Sequence, residues 1–148
     1  MASEGFLLKE VFDWVALQTG LIRATEWYCG QMPPETEGAV AVLLDTGGVP
    51  MQPGLRHNLC IATFQVLALG PTGSDYWDAY RLAYTIHNVL GDVRHTTLGD
   101  GTYTPTWEAD VISADSRPAY IGGDERFRFE ISCMYSVSAR TALLMADA

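Results

Sequence analysis

Asp45 is the residue best placed to do chemistry. It ends the apolar run Val42-Leu43-Leu44 and opens Asp45-Thr46-Gly47-Gly48, which sets a carboxylate on a turn at the end of a strand. A carboxylate gains acid–base use when a second one lies against it, because two like charges at close range share a single proton. Asp and Gly are also ordinary turn residues, so the same four residues have a purely conformational reading. The other reactive side chains are scattered. His57, His87 and His95 fall in a loop, a helix and a polar segment, with no i, i+4 pair to grip a metal. His87, near a helix C-terminus, suits the negative end of the helix dipole. Cys29, Cys60 and Cys133 have no CxxC spacing, and the last two sit in strand patterns where a thiol packs as a small hydrophobe. The 14 glycines form neither GxGxxG nor GxxxxGK. Gly99-Asp100-Gly101 lacks the ligand spacing of a calcium loop, and no serine lies in a GxSxG elbow. The residues alone therefore predict no catalytic group beyond Asp45, no metal and no cofactor.

Composition narrows the partners. The chain has 148 residues, enough for one domain with one real core, and 48% hydrophobic with 18% charged residues is the balance of a folded protein. Nine basic against eighteen acidic residues leave a net charge of −9, with Lys9 the sole lysine. Gripping nucleic acid by its phosphates needs clustered Lys and Arg, and an anionic membrane needs a polybasic patch, so both partner classes are disfavoured. No apolar run approaches the ~20 residues that span a bilayer. The N-terminal residues lack the pattern of a signal peptide, which points to synthesis and assembly in the cytoplasm.

The elements that would position these residues follow from periodicity. Glu4 to Thr19 reads as a helix with Leu8, Val11, Phe12 and Val15 on its apolar stripe, Leu7 and Trp14 just off it, and Gly20 as its stop. A short strand is expected around Glu26-Trp27-Tyr28. Ala39–Asp45 and Asn58–Leu69 read as strands apolar on both faces. Between them, Thr46 to His57 is a long loop rich in Gly and Pro, and loops of that length tend to carry function. Ser74 is a good N-cap for a second helix to Leu90, lined by Tyr76, Ala79, Ala83, Ile86 and Leu90. Gly99-Asp100-Gly101 is expected to close a hairpin between Val93–Leu98 and Thr102–Thr106, and Trp107–Asp115 is a further strand. Last, an irregular lead from Pro118 to Glu125 enters the strand Arg126–Ser138. Its odd positions Phe127, Phe129, Ile131, Cys133, Tyr135 and Val137 make a dry face, and Arg126, Arg128 and Glu130 begin a wet or partner-facing one.

Two helices cannot cover both faces of such a sheet. The expected architecture is an α+β domain over residues 1–138, a mostly antiparallel sheet of four or more strands with two helices on one face, and a short tail over 139–148. The uncovered face and the sheet edges then need a partner or charged protection. Candidate contact residues are Gly48, Val49, Pro50, Met51, Leu55 and Arg56 in the long loop. Arg94 and His95 in the polar segment Asp92–Thr104 are further candidates, as are Arg126, Arg128 and Glu130 on the last strand.

Two resemblances bear on function. The strand ending in Asp45-Thr46-Gly47 resembles the catalytic turn of the small dimeric aspartic proteases, and Tyr120-Ile121-Gly122 loosely echoes their late apolar-apolar-Gly segment. Those proteases are nearly all β and follow that glycine with a short helix, whereas a long alternating strand follows here. The wider likeness covers residues 5 to 138. It runs through Tyr28-Cys29-Gly30-Gln31-Met32-Pro33-Pro34, then Leu43-Leu44-Asp45-Thr46-Gly47-Gly48, the apolar strand ending Leu69-Gly70, the helix from Tyr76 to Leu90, and Pro118 to Ser138. In that order and spacing the chain resembles the tail terminator, or minor capsid, proteins that join head to tail in long-tailed bacteriophages. The resemblance implies a non-enzymatic virion protein of the tail–neck junction, assembled in the host cytoplasm. Its partners would be itself, as a homo-hexameric ring, the tail tube protein it caps, and the head–tail connector or stopper. Genomic DNA would pass through the lumen unbound, with no membrane involved, and an acidic lining would repel phosphates. A dimeric aspartic protease built on Asp45, or another neck or head-completion protein, is the alternative.

Overall fold

The computed structural model describes residues 5–30, 38–49, 59–71, 76–99, 106–123 and 128–141. The first element is a helix, α1 (Gly5–Thr19), and it buries Leu7, Leu8, Val11 and Val15. Leu7 is fully buried and Phe12 only partly, so the stripe turns toward Leu7 from the expected centre. Phe12 is occupied at the rim. Its ring stacks on Trp27 at 5.2 Å, and its carbonyl accepts a hydrogen bond from Trp27 Nε1 at 2.9 Å. Gly20 ends the helix as expected, with φ +77 and its amide donating to the Ala16 carbonyl.

The sheet is mixed, and the described residues give it seven strands. β1 (Trp27–Cys29) runs parallel to β2 (Val40–Val49), and every other pairing is antiparallel. The order is β1-β2, then β3 (Leu59–Leu69), β7 (Phe129–Thr141), β5 (Trp107–Ala114) and β4 (Arg94–Leu98). The remaining strand, β6 (Ala119–Gly123), also pairs with β7. β3 holds one edge of β7 along its length, so β5 and β6 share the other edge end to end. The lead into the last strand, expected as irregular, is thus a strand that resumes the line of β5 after a jog at Asp115–Pro118. The sheet also continues through Thr141, with Ala139 buried, past the expected end of the domain at Ser138.

A second helix, α2 (Tyr76–Gly91), buries Ala79, Ala83, Ile86 and Leu90, four of the five residues expected on its stripe. Both helices lie on one face of the sheet. Beneath them Ala41, Leu43, Cys60, Ala62, Phe64, Val66, Ile131, Cys133, Tyr135 and Val137 form one core. The α+β architecture with helices on a single face is therefore as the sequence pattern predicts.

The hairpin is not. β4 pairs with β5, Leu98 opposite Trp107 and Thr97 opposite Glu108, so the connection spans residues 99–106 rather than the three-residue turn. Thr102 to Pro105 lie outside the described residues. Leu98 and Trp107 are both fully buried, and burying a Trp removes apolar surface worth about 4–6 kcal/mol. That outweighs the small preference for a short turn, even though Trp107 Nε1 finds no hydrogen-bond partner among the described residues. The second face of the sheet is drier than a wet face. Val40, Val42, Leu67 and Leu69 pair there and are buried, while Ile61, Thr63, Gln65, Ser132, Met134, Ser136 and Ser138 are half-buried.

Candidate interface surfaces

Large apolar side chains left exposed among the described residues gather in two places. Leu17 (77% exposed) and Ile22 (61%) flank the end of α1. The cleft beside them, about 890 Å³, is lined by Lys9, Asp13, Trp14, Leu17, Ile22 and Arg23 among others. Asp13 is the organising charge, with its Oδ2 on Lys9 Nζ and its Oδ1 on Arg23 Nη1 at 2.7 Å. This ties the segment after Gly20 back onto the helix, although ion pairs this exposed contribute only ~0–1 kcal/mol.

The second place is built on aromatic residues of α2 and β6. Tyr76 is its hub: its ring meets Trp77 at 5.0 Å, Tyr80 at 5.4 Å, Tyr120 at 5.7 Å and Phe129 at 5.8 Å. Tyr80 stacks on Tyr84 one turn further along the helix. Helical spacing explains the ridge, since 76, 80 and 84 follow i, i+4. Trp77 (62%), Tyr120 (49%) and Ile121 (56%) are the exposed members, beside a shallow hollow of about 410 Å³ lined by Trp77, Tyr80, Arg81 and Tyr84. The two surfaces share no residue. Exposed Trp, Tyr and Arg together are the composition of interface hot spots rather than of ordinary surface.

Under α2 the aromatic ridge passes into a part-buried polar string. His87 Nδ1 lies 2.9 Å from the Tyr135 hydroxyl, and Cys133 Sγ donates to the Ser116 carbonyl at 3.1 Å. Burial pushes the Tyr135 phenol well above its ordinary range, with the neighbouring Cys133 adding to it, and burial lowers the His87 imidazole. Burial also raises the Cys133 thiol. Cys29 sits at an exposed position, yet partial desolvation of its sulfur raises the thiol as well, with Asp13 and Asp45 contributing. Thiols held protonated in this way are poor nucleophiles.

The residues singled out from the sequence are placed unevenly. Gly48 and Val49 belong to β2, which runs on through Asp45-Thr46-Gly47 as a bulged strand instead of ending there. Asp45 Oδ1 accepts the Gly47 amide at 2.8 Å, so the carboxylate holds the bulge. Pro50, Met51, Leu55, Arg56 and Arg126 lie outside the described residues. Arg128, the residue before β7, is 7% exposed and so does not line an open face as alternation predicts. Glu130 is half-buried opposite Leu69. Arg94 and His95 are exposed on the edge strand β4, and His95 lies close to Glu108 and Asp110 on β5. Neither aromatic nor apolar surface patch was marked as a site by the sequence pattern. Leu17 and Trp77, large apolar residues off their helices' buried stripes, were the available signal.

No protein-family model matches the chain, and no curated protein does. Solved structures do match. One has a TM-score of 0.55 at 16% sequence identity, over 95% of this chain and 97% of that one, and it bears no functional description. At that identity the likeness extends to the fold.

Proposed function

We propose that the chain is a structural subunit that closes head to tail into a ring. In this reading the ring is the hexameric tail terminator of a long-tailed phage, capping the tail tube and joining it to the head connector. The observation that carries the assembly is the pair of separate exposed surfaces, Leu17 with Ile22 and Trp77 with Tyr120 and Ile121. A two-fold dimer uses one patch twice, whereas a head-to-tail contact needs two different patches on each subunit, and rings form when the rotation closes. The virion assignment rests on the resemblance over residues 5 to 138, and the net charge of −9 suits a channel that DNA must traverse without adhering. Asp45 has a backbone role in the β2 bulge, which gives the protease reading no support.

The experiment is a complementation of interfaces. Leu17→Asp with Ile22→Asp spoils one patch, and Trp77→Asp spoils the other. Wild-type protein should form a closed oligomer by sedimentation and negative-stain imaging, each variant alone should be monomeric, and an equimolar mixture should stop at dimers. Oligomers that persist in both variants, or wild type that stays monomeric at 100 μM and leaves phage tail tubes uncapped, would refute the reading.

A further inference from the structure

We propose that His95, Glu108 and Asp110 bind one divalent transition-metal ion of the zinc class on the β4–β5 hairpin. Each offers one ligand atom, and the three atoms lie within 4.8 Å of one another. The strands themselves produce this convergence. Glu108 and Asp110 are two apart on β5, Thr97 stands opposite Glu108, and the left-handed backbone at His95 (φ +48), two residues before Thr97, sets its ring near both carboxylates. The register shift between Ala109 and Val111 leaves Asp110 outside the regular pairing with β7, free to lean toward His95.

Charge favours an ion at this place. Two carboxylates occupy one small space, and among the described residues the ion pair Asp110 makes is a 3.5 Å contact with Arg140 Nε. The side chains of His95 and Glu108 have no hydrogen bond or ion pair to a described residue. Arg140, which also stands opposite Glu108 across the β5–β7 ladder, supplies one positive charge against the two carboxylates, and a dication would supply the rest. The donor set selects the class of ion. One imidazole nitrogen with two carboxylate oxygens suits zinc, cobalt, nickel or manganese, while calcium and magnesium prefer all-oxygen shells. Ligands about 2.1 Å from a tetrahedral ion stand about 3.4 Å apart, and His95 and Glu108, both exposed, can close that gap by side-chain rotation. Three protein ligands leave a position for water or for a donor from another molecule.

The test uses the full chain carrying Cys29→Ser, so that the exposed thiol does not compete, stripped with chelator and titrated with Co²⁺ by visible absorption and with Zn²⁺ by calorimetry. One ion per chain is expected. His95→Ala and Glu108→Gln should each weaken binding at least ~10-fold, while His87→Gln should leave it unchanged, with all variants matching the parent in far-ultraviolet circular dichroism. Absence of saturable binding below 1 mM would overturn the proposal. So would affinity unaltered in both His95→Ala and Glu108→Gln.

Discussion

Replacing Gly48 with Ala separates a backbone role from an interface role at one of the residues marked by its sequence. Gly48 has φ +131, and a Cβ there would stand 2.1 Å from the Ile61 carbonyl oxygen and 2.8 Å from Ala62 Cα. Those are main-chain atoms of β3, and β7 fixes them from the other side through Ile61–Ser138 and Ala62–Val137. Neither strand can retreat without opening a ladder. Overpacking costs about 1–3 kcal/mol and a non-glycine residue at this φ about 1–3 more, so the loss is about 2–6 kcal/mol. For a chain of this size the melting temperature should fall about 4–24 °C. Gly47→Ala is the control. Its φ is +104 with open space around the Cβ, so it incurs the backbone term alone, roughly 1–3 kcal/mol. Thermal melts followed by circular dichroism at low protein concentration read the difference without contributions from assembly. Gly48→Ala melting within 2 °C of wild type, or no lower than Gly47→Ala, would refute the close-approach argument.

The pH dependence of stability should carry a signature of His87. Burial lowers its imidazole below the ordinary value of 6.5, so below that pH the unfolded chain takes up the proton more readily than the folded one. Its contribution is complete above pH 6.5 and is lost as pH falls through the lower folded value. Melting curves from pH 8 to 5 should therefore drop more steeply in wild type than in His87→Gln, which keeps an acceptor for Tyr135, and parallel curves would contradict this. Asp45→Asn retains the oxygen that accepts the Gly47 amide, so it should cost no more than about 1 kcal/mol, ~2–4 °C, and leave the proposed ring assembly unaltered. A fall beyond 8 °C, measured by scanning calorimetry, would show that the carboxylate does more than hold the bulge.

Local patterns were legible where one face of an element decided its packing. The α2 stripe and the β7 alternation, with Ile131, Cys133, Tyr135 and Val137 all buried, follow from residue types alone. Pairing was not legible, because register depends on which distant residues bury together. The fully buried Trp107 draws Leu98 to itself, lengthens the connection and sets Glu108 and Asp110 against β4. The short hairpin expected from Gly99-Asp100-Gly101 would have faced β4 with Thr102–Thr106 instead, so the cluster around His95 was hidden by the same choice. β6 was obscure for a related reason. Tyr120 and Ile121 favour a strand but Gly122 and Gly123 weaken it, and the segment is a strand because β7 offers it an unoccupied edge beyond Ala114.

That edge logic also bears on how copies of the chain can meet. The outermost strands of the main sheet are β1, three residues long, and β4. β4 carries exposed Arg94 and His95, and His95 holds φ +48 within it, which breaks the regular row of donors and acceptors. Short edges, charges and kinks are the devices that stop sheets from extending into one another. Association by strand addition is thereby disfavoured at β1 and β4. The exposed apolar surface lies elsewhere, on the end of α1 and across α2 with β6, in side chains rather than in backbone. Side-chain patches of two kinds permit a contact of fixed geometry that repeats and can close, whereas an open strand edge permits indefinite growth. A subunit with the proposed capping function would have reason to be built this way.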